Sequence, residues 1–352
     1  MTKKASAIFS VFILIRCCGS FAQVGGTNTY NFLKLPLSAR VAALGGNLIC
    51  VKDGDINLAS DNPSLLDSSM DNKLASNYVN YFTDVNYANV LYAKHYKKTG
   101  TFSAGFNYIN YGQFTQADDN GTVTGEFKAG DYAFNMGYGR ALDSSFSVGG
   151  TLKTIYSAYS TYSSAGSALD LAATYYKQKK RLTVAAVIKN IGWQWKPYVR
   201  GNREPLPFEI QLGLSKKLKH APFRFSITAQ HLEKWNLTYE DPANPSVTVD
   251  ALTKEVKQKS KLQKFSGKTM RHVVLGTEFL LTKNFNIRVG YNYQRRQELK
   301  VETTPGAAGF SFGFGLKISK FQFSYGRAVY HLAGPSNHLS IGANLSDFYS
   351  KK

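Results

Sequence analysis

The residues with chemistry to offer gather in one early stretch, LPLSARVAALGGNLICVKDGDINLASDNPSLL, over residues 35–66. Asp53, Asp55 and Asn57 stand at the first three side-chain ligand positions of a calcium loop. The glycine that should follow is Leu58, and the closing bidentate glutamate is Ser64, so the ion would lack both its turn and its best ligand. Ser60-Asp61-Asn62 copies one motif of the penicillin-binding enzymes, whose chemistry also needs a Ser-x-x-Lys nucleophile and a Lys-Thr-Gly strand. No serine has a lysine three residues on, and Lys268-Thr269 runs into Met270. Ser266-Gly267-Lys268-Thr269 ends like a phosphate loop but has Leu262 where the first glycine belongs. The six histidines show no paired metal spacing, and His331 and His338, around Gly334-Pro335, read as loop residues. These residue types point away from an enzyme and call for no metal or other cofactor.

The ends and the charge set the compartment. Lys3 and Lys4 precede an apolar run at 8–15, and Ser20-Phe21-Ala22 has the small-x-small form of a cleavage site. Residues 1–22 therefore read as a signal peptide, cut before Gln23. A lipoprotein anchored at Cys17 or Cys18 is the rival, but Arg16 stands where a small residue should. The apolar run is too short to span a membrane as a helix. After cleavage Cys50 is the remaining cysteine, with no partner for an intrachain disulfide, and is expected to be buried. The chain carries 43 Lys and Arg against 23 acids, a net +20 that becomes +17 without Lys3, Lys4 and Arg16. For an exported protein this disfavours nucleic acid and favours membrane lipid, lipopolysaccharide or an acidic protein.

What must position any site is written in period two. In residues 285–293 and 310–318 every second residue is apolar or aromatic, and the residues between are polar or Gly, the mark of a strand with one apolar face. Fourteen such runs centre near 77, 91, 105, 135, 151, 170, 186, 212, 228, 276, 290, 313, 324 and 343. Short basic turns at 97–100, 177–181 and Lys320 alternate with long polar loops at 112–129, 157–167, 192–206, 236–270 and 296–308. An even strand number with short turns at one rim and long loops at the other predicts an all-β, 14-stranded antiparallel transmembrane β-barrel over 73–352. A soluble sandwich also alternates, but would have little use for 22 Tyr and 23 Phe set so often at run ends, where two membrane girdles need them. The lumen positions are mainly Gly, Ser and Asn, suited to being filled.

Residues 23–72 are too few to fold alone and read as the filling, an N-terminal hatch. Ser38 is the expected cap of a short helix stopped at Gly45-Gly46, followed by a brief strand at 47–51 and a turn or helix ending at Asn62-Pro63. Arg40, Asp53, Asp55 and Asp61 should be paired inside the lumen, because unpaired buried charge is costly.

On these residues a resemblance can be stated. Ser38-Ala39-Arg40, Ala43-Leu44-Gly45-Gly46, Asp53-Gly54-Asp55 and Asn62-Pro63-Ser64-Leu65 resemble the hatch of the FadL-like barrel superfamily. Phe32-Leu33-x-Leu35-Pro36, Met70-Asp71-Asn72 and Asn77-Tyr78-x-Asn80-Tyr81 resemble its PorV/PorQ branch, outer-membrane proteins of the type IX secretion system. Gly54 departs from that pattern, where an acidic residue is common. The resemblance runs along most of the chain after the leader. It implies a non-enzymatic anchor in the cell outer membrane that holds a PorZ-like surface protein within the cargo attachment complex, beside PorU and PorV. The rival implied by the wider superfamily is a transporter of hydrophobic small molecules.

Two outer loops are the candidate partner contacts. Trp193, Trp195 and Tyr198 sit where a strand leaves the membrane, with Trp193 expected in the girdle and Trp195 and Tyr198 free for a partner. Lys254, Lys257, Lys259 and Lys261, continued by Lys264 and Lys268, make a basic run facing phosphates or an acidic protein.

Overall fold

The computed structural model describes residues 28–81, 83–238, 248–249, 256–257, 260–299, 306–331 and 334–349; the leader expected at 1–22 lies outside them. Fourteen strands close one antiparallel barrel. They are β1 Lys73–Asn80, β2 Asn86–Tyr96, β3 Gly100–Ala117, β4 Val123–Ala141 and β5 Phe146–Tyr159. Then come β6 Tyr162–Lys177, β7 Leu182–Lys196, β8 Glu209–Lys217, β9 Phe223–Ala229 and β10 Val273–Phe279. The last four are β11 Phe285–Asn292, β12 Phe310–Ile318, β13 Phe321–His331 and β14 Gly334–Asn344. Each neighbour in sequence is a neighbour in the sheet, and β14 returns to β1 with Lys73 opposite Asn344 and Asn80 opposite Asn337. Each of the fourteen expected centres falls inside one strand. Among the described residues no helix is long and apolar enough to cross a membrane.

Alternation sorts the two faces. On β11, Ile287 and Val289 point outward at 40% and 42% exposure, while Arg288 between them is 1% exposed and faces the lumen. Tyr108, Tyr132 and Tyr156 sit opposite one another on β3, β4 and β5 and form an outer aromatic row, with the first two rings 4.9 Å apart. A second set lies by the short turns, where Phe102 meets Tyr138 and Phe146 meets Tyr175, each at 5.0 Å. The rise from Phe102 to Tyr108 is about 20 Å at the usual strand pitch, close to the ~25 Å apolar band of such barrels.

Several connections are shorter than expected, because the strands run on past that band. β3 and β4 have 18 and 19 residues, about twice what a crossing needs, so the expected loop at 112–129 is mostly strand. The loop expected at 157–167 is likewise a tight turn between Tyr159 and Tyr162. β8, β9 and β10 have only nine, seven and seven residues. The outer rim is therefore a high wall on one side and a low sill on the other. Over the sill, the loop at 236–270 contains α2 Lys261–Arg271, and the loop at 296–308 begins inside α3 Tyr293–Leu299. His331 ends β13 and His338 lies within β14, fully buried, so neither is a loop residue. Gly334-Pro335 opens that strand instead of a long loop.

The hatch begins with a 3-10 turn at Asn31–Lys34, followed by α1 Ala39–Ala43, with Ser38 Oγ accepting the Val41 N–H at 3.3 Å. Gly45 and Gly46 both take φ +92°, which L side chains avoid, and the Gly46 N–H closes the helix on the Val41 carbonyl. The expected strand at 47–51 does not form: the segment joins no ladder, since the wall around it is already paired. The expected turn ends at Asn62 as the 3-10 helix Ile56–Ser60, closed by the Asn62 N–H on the Leu58 carbonyl at 3.0 Å, and Asn62 in turn caps a second 3-10 helix, Pro63–Leu65. Val41, Leu44, Leu48, Leu58, Leu65 and Leu66 pack with Ala75, Leu91 and Ala93 of the wall into one buried cluster. The hatch thus borrows from β1 and β2 the core it is too small to build.

Candidate functional site

The lumen is joined to the hatch by charge and by close backbone contact. Arg40 lies with its side chain 6% exposed, 2.7 Å from Asp53 and 3.0 Å from Asp55 of its own segment. Its Nε donates across to Glu278 Oε1 of β10 at 3.0 Å. Arg224 of β9 joins Asp53 at 2.7 Å and Glu278 at 2.8 Å, and Arg288 Nε lies 3.5 Å from Glu278. Three guanidinium groups face three carboxylates, so the buried cluster balances. Burial pushes the Asp53 carboxyl up, but Arg40 and Arg224 overcome it and hold Asp53 well below the carboxylate range. Asp53 and Asp55 are thereby engaged by arginines, the arrangement opposite to a cation loop. Gly54 between them sits at φ +79° and its carbonyl accepts the Lys73 ammonium at 2.7 Å, which gives its departure from an acidic residue a conformational reason.

Higher in the lumen Asp61 pairs with Lys189 of β7 at 2.8 Å. Asn62 donates to the Ile49 carbonyl at 2.6 Å and to Thr174 of β6 at 3.0 Å, while its own oxygen accepts from Ser64. Charge on the wall is thus more frequent than the lumen's small-residue pattern indicates, and much of it answers the hatch. Pro63 presses on β5 so closely that a Cβ on Gly149 would lie 2.5 Å from the Pro63 carbonyl. On the other side a Cβ on Gly290 would lie 2.2 Å from the Gly45 nitrogen. The small lumen residues are the imprint of the hatch backbone.

Above the hatch, Asp131 of β4 accepts from Tyr111 at 2.6 Å and Tyr159 at 2.8 Å and is bonded to Ser157. Tyr198 packs on Tyr159 with centroids 5.5 Å apart. β7 continues to Lys196, so Trp193 and Trp195 project together from its outward face at 65% and 48% exposure, with Gln194 buried between them. The strand has not ended at Trp195, so the two Trp share one face, and Tyr198 is half-buried against Tyr159.

A second exposed aromatic surface lies over the low sill. α2 opens with a full capping box between Ser260 and Gln263 and shows Leu262 and Phe265 to solvent at 76% and 57% exposure. Trp235, 54% exposed, approaches Phe265 at 6.0 Å and stacks on His272 at 5.5 Å. His272 lies 2.8 Å from the Gln230 carbonyl and 3.1 Å from the Trp235 carbonyl, closing the base of the loop. A cavity of about 770 Å³ between α2 and α3 is lined by Lys264, Lys268, Arg271 and Tyr293. Lys254 and Lys259 lie outside the described residues; the Lys257 backbone joins a two-residue ladder and Lys261 begins α2. No local pattern in the sequence marks Trp235 or Glu278, whereas Ser260-x-x-Gln263 is a legible helix start.

His231, at the foot of this loop, lies 3.3 Å from Glu233 and 3.6 Å from Glu209. Burial and Lys34 oppose its charge, but the two carboxylates prevail and raise it above its ordinary 6.5. A raised histidine stabilises the fold below the unfolded value, and the contribution disappears as pH climbs through the folded one. His231→Gln is therefore expected to lower thermal stability below pH 6.5, with the difference from wild type shrinking at higher pH. A difference independent of pH would show that the ring acts by packing alone.

A closed fourteen-strand antiparallel barrel with an apolar outer face and an N-terminal segment ion-paired in its lumen has the fold of a transmembrane β-barrel. No protein-family model matches the chain, and no curated protein matches it. Among solved structures it is similar to TodX, the toluene transporter of Pseudomonas putida, at TM-score 0.51 and 12% identity, over 88% of this chain and 96% of that one. A FadL homologue from Pseudomonas aeruginosa gives TM-score 0.49 at 10% identity, over 88% and 98%. At 12% identity the likeness to TodX is one of fold.

Proposed function

We propose that this chain is a non-enzymatic anchor of the type IX secretion system, a PorQ-like barrel that holds a PorZ-like surface protein in the attachment complex beside PorU and PorV. The observation that carries the reading is a filled lumen beneath an exposed apolar platform of Trp235, Leu262 and Phe265 rimmed by lysines. Such an aromatic patch within a polar rim has the make-up of a protein-binding hot spot. The hatch segment at 32–46 and the Asn-Tyr repeat at 77–81 support the branch by their resemblance. The barrel anchors, the hatch seals, and the platform binds.

The test is surface retention of the PorZ-like partner by full-length variants. Trp235→Ala and Phe265→Ala are each expected to weaken partner affinity roughly thirtyfold, the effect of losing about 2 kcal/mol. Heat-modifiable gel migration, the sign of a closed barrel, should persist. Unchanged affinity in both, with loss in Trp193→Ala or Trp195→Ala, would move the contact to the wall of β7.

A second reading, transport of hydrophobic small molecules, is favoured by the fold shared with TodX, although the cavity of about 30 Å³ beside Leu33, Leu35 and Leu37 is also lined by Asp61, Lys153 and Lys189. It requires that cavity to widen into a continuous apolar route. Uptake of toluene or a fatty acid by proteoliposomes would support it over the anchor.

A further inference from the structure

The short-turn rim holds a second polar feature, on the side opposite the platform. A cavity of about 390 Å³ opens between hatch residues Val51 and Lys52 and the inner ends of β6 to β9. Four of its lining residues are cationic, Lys52, Arg181, Lys217 and Arg224, and none is acidic. Arg224 is already held by Asp53 and Glu278 and serves as a wall. Lys52 is only loosely matched, 4.0 Å from Asp67. Arg181 is exposed and fixed by one bond from Nη1 to the Leu218 carbonyl at 3.1 Å, which leaves its other N–H groups to the cavity side or solvent. Lys217 and Arg181 are tied together at the backbone, the Lys217 N–H donating to the Arg181 carbonyl at 3.1 Å. Thr183 adds a hydroxyl from the wall.

The two turns that frame the cavity carry Lys177, Lys179 and Lys180 on one and Lys216 and Lys219 on the other, without an acidic residue in 177–181 or 215–224. Unmatched charge this dense attracts anions over about a Debye length, ~10 Å at 0.1 M salt. A concave site with a guanidinium, two ammonium groups and a hydroxyl fits a tetrahedral oxyanion, for which several donors converge on three or more oxygens. Short turns of such barrels lie on the periplasmic side, so the cavity mouth meets both the inner-leaflet head groups and the periplasmic solutes.

We propose that this cavity binds a phosphate group, presented either by a phospholipid head group of the inner leaflet or by a soluble phosphate ester. Occupancy would bridge the hatch, through Lys52, to the barrel wall, through Arg181 and Lys217.

The experiment uses the full chain purified in neutral detergent. One arm titrates glycerol 3-phosphate by calorimetry; the other measures retention of phosphatidylglycerol against phosphatidylcholine by native mass spectrometry. The variant is Arg181→Ala with Lys217→Ala. Its control, Lys179→Ala with Lys180→Ala, removes the same charge from the adjoining turn outside the cavity. Binding in either arm that falls about tenfold in the cavity variant and little in the control supports the proposal, and the responding arm identifies the source. Equal losses in both variants would reduce the site to a diffuse basic rim. Absence of binding in both arms, or binding of polyglutamate that is equally sensitive to the cavity variant and excludes phosphate, would overturn it.

Discussion

Replacing Arg40 by Met is expected to unseat the hatch. Removing one partner from a buried, balanced cluster leaves a carboxylate without a counter-charge, at a cost of about 3–5 kcal/mol. Here Asp53, Asp55 and Glu278 would share only Arg224 and Arg288. Cys50 gives a direct reading of the result. It lies fully buried between the hatch and β6 to β8, and burial pushes its thiol up to about 12, so alkylation should be slow while the hatch is seated. In Arg40→Met the alkylation rate should rise by about a hundredfold or more, following the population of the open form. Arg40→Met with Asp55→Asn restores two charges against two and should recover much of the protection. Alkylation that stays slow in the single variant would show that packing, and not the ion cluster, holds the hatch. Because the Asp53 value is depressed, the latch contributes fully above the ordinary carboxylate value of 3.8 and fails as pH falls through the lowered one.

Deleting 26–62 should convert a sealed barrel into an open one. Fourteen strands enclose a lumen wide enough for water once it is emptied. The deletion removes α1, Asp53, Asp55, Asp61 and Asn62 together, the groups that now answer Glu278, Lys189 and Thr174. Single-channel conductance in planar bilayers is expected to rise by an order of magnitude or more. Equal conductance before and after, in a barrel whose heat-modifiable migration is intact, would mean that something other than the hatch closes the pore. The wall charges left without their hatch partners, Lys189, Arg224 and Glu278, would also make the opened pore ion-selective.

Strand positions were legible because period two survives in nearly every crossing, and the cap at Ser38 because a serine before an apolar turn ending in Gly45-Gly46 has few other uses. Strand ends were not, since β3 and β4 keep alternating after they leave the membrane and no residue marks that exit. The pairing need of Arg40 was readable from the cost of burying it. Its partner Glu278 was not, because one carboxylate in Thr277-Glu278-Phe279 looks like any outward or lumen position until the register with Arg224 and Arg288 is known. Trp235 has no local mark for a related reason: its contact with Phe265 joins residues far apart in the chain, which local patterning does not encode.

The glycine imprint bears on how the chain closes into a ring. β1 and β14 must find each other from opposite ends of the barrel sequence, the pairing with the greatest loop-closure entropy in the molecule. The hatch precedes β1 and yet touches β5 through Pro63, β11 through Gly45 and β14 through the Ala39 N–H on Ser340 at 2.9 Å. Early and late strands therefore share a surface before they share an edge. An unclosed sheet curling around this segment would already bring its two free edges toward each other, and the last ladder would form over a short distance instead of a long search. On that account the hatch is a template for the ring as well as its stopper, and strands that lost their glycines would be slow to close even where the finished barrel could tolerate the change.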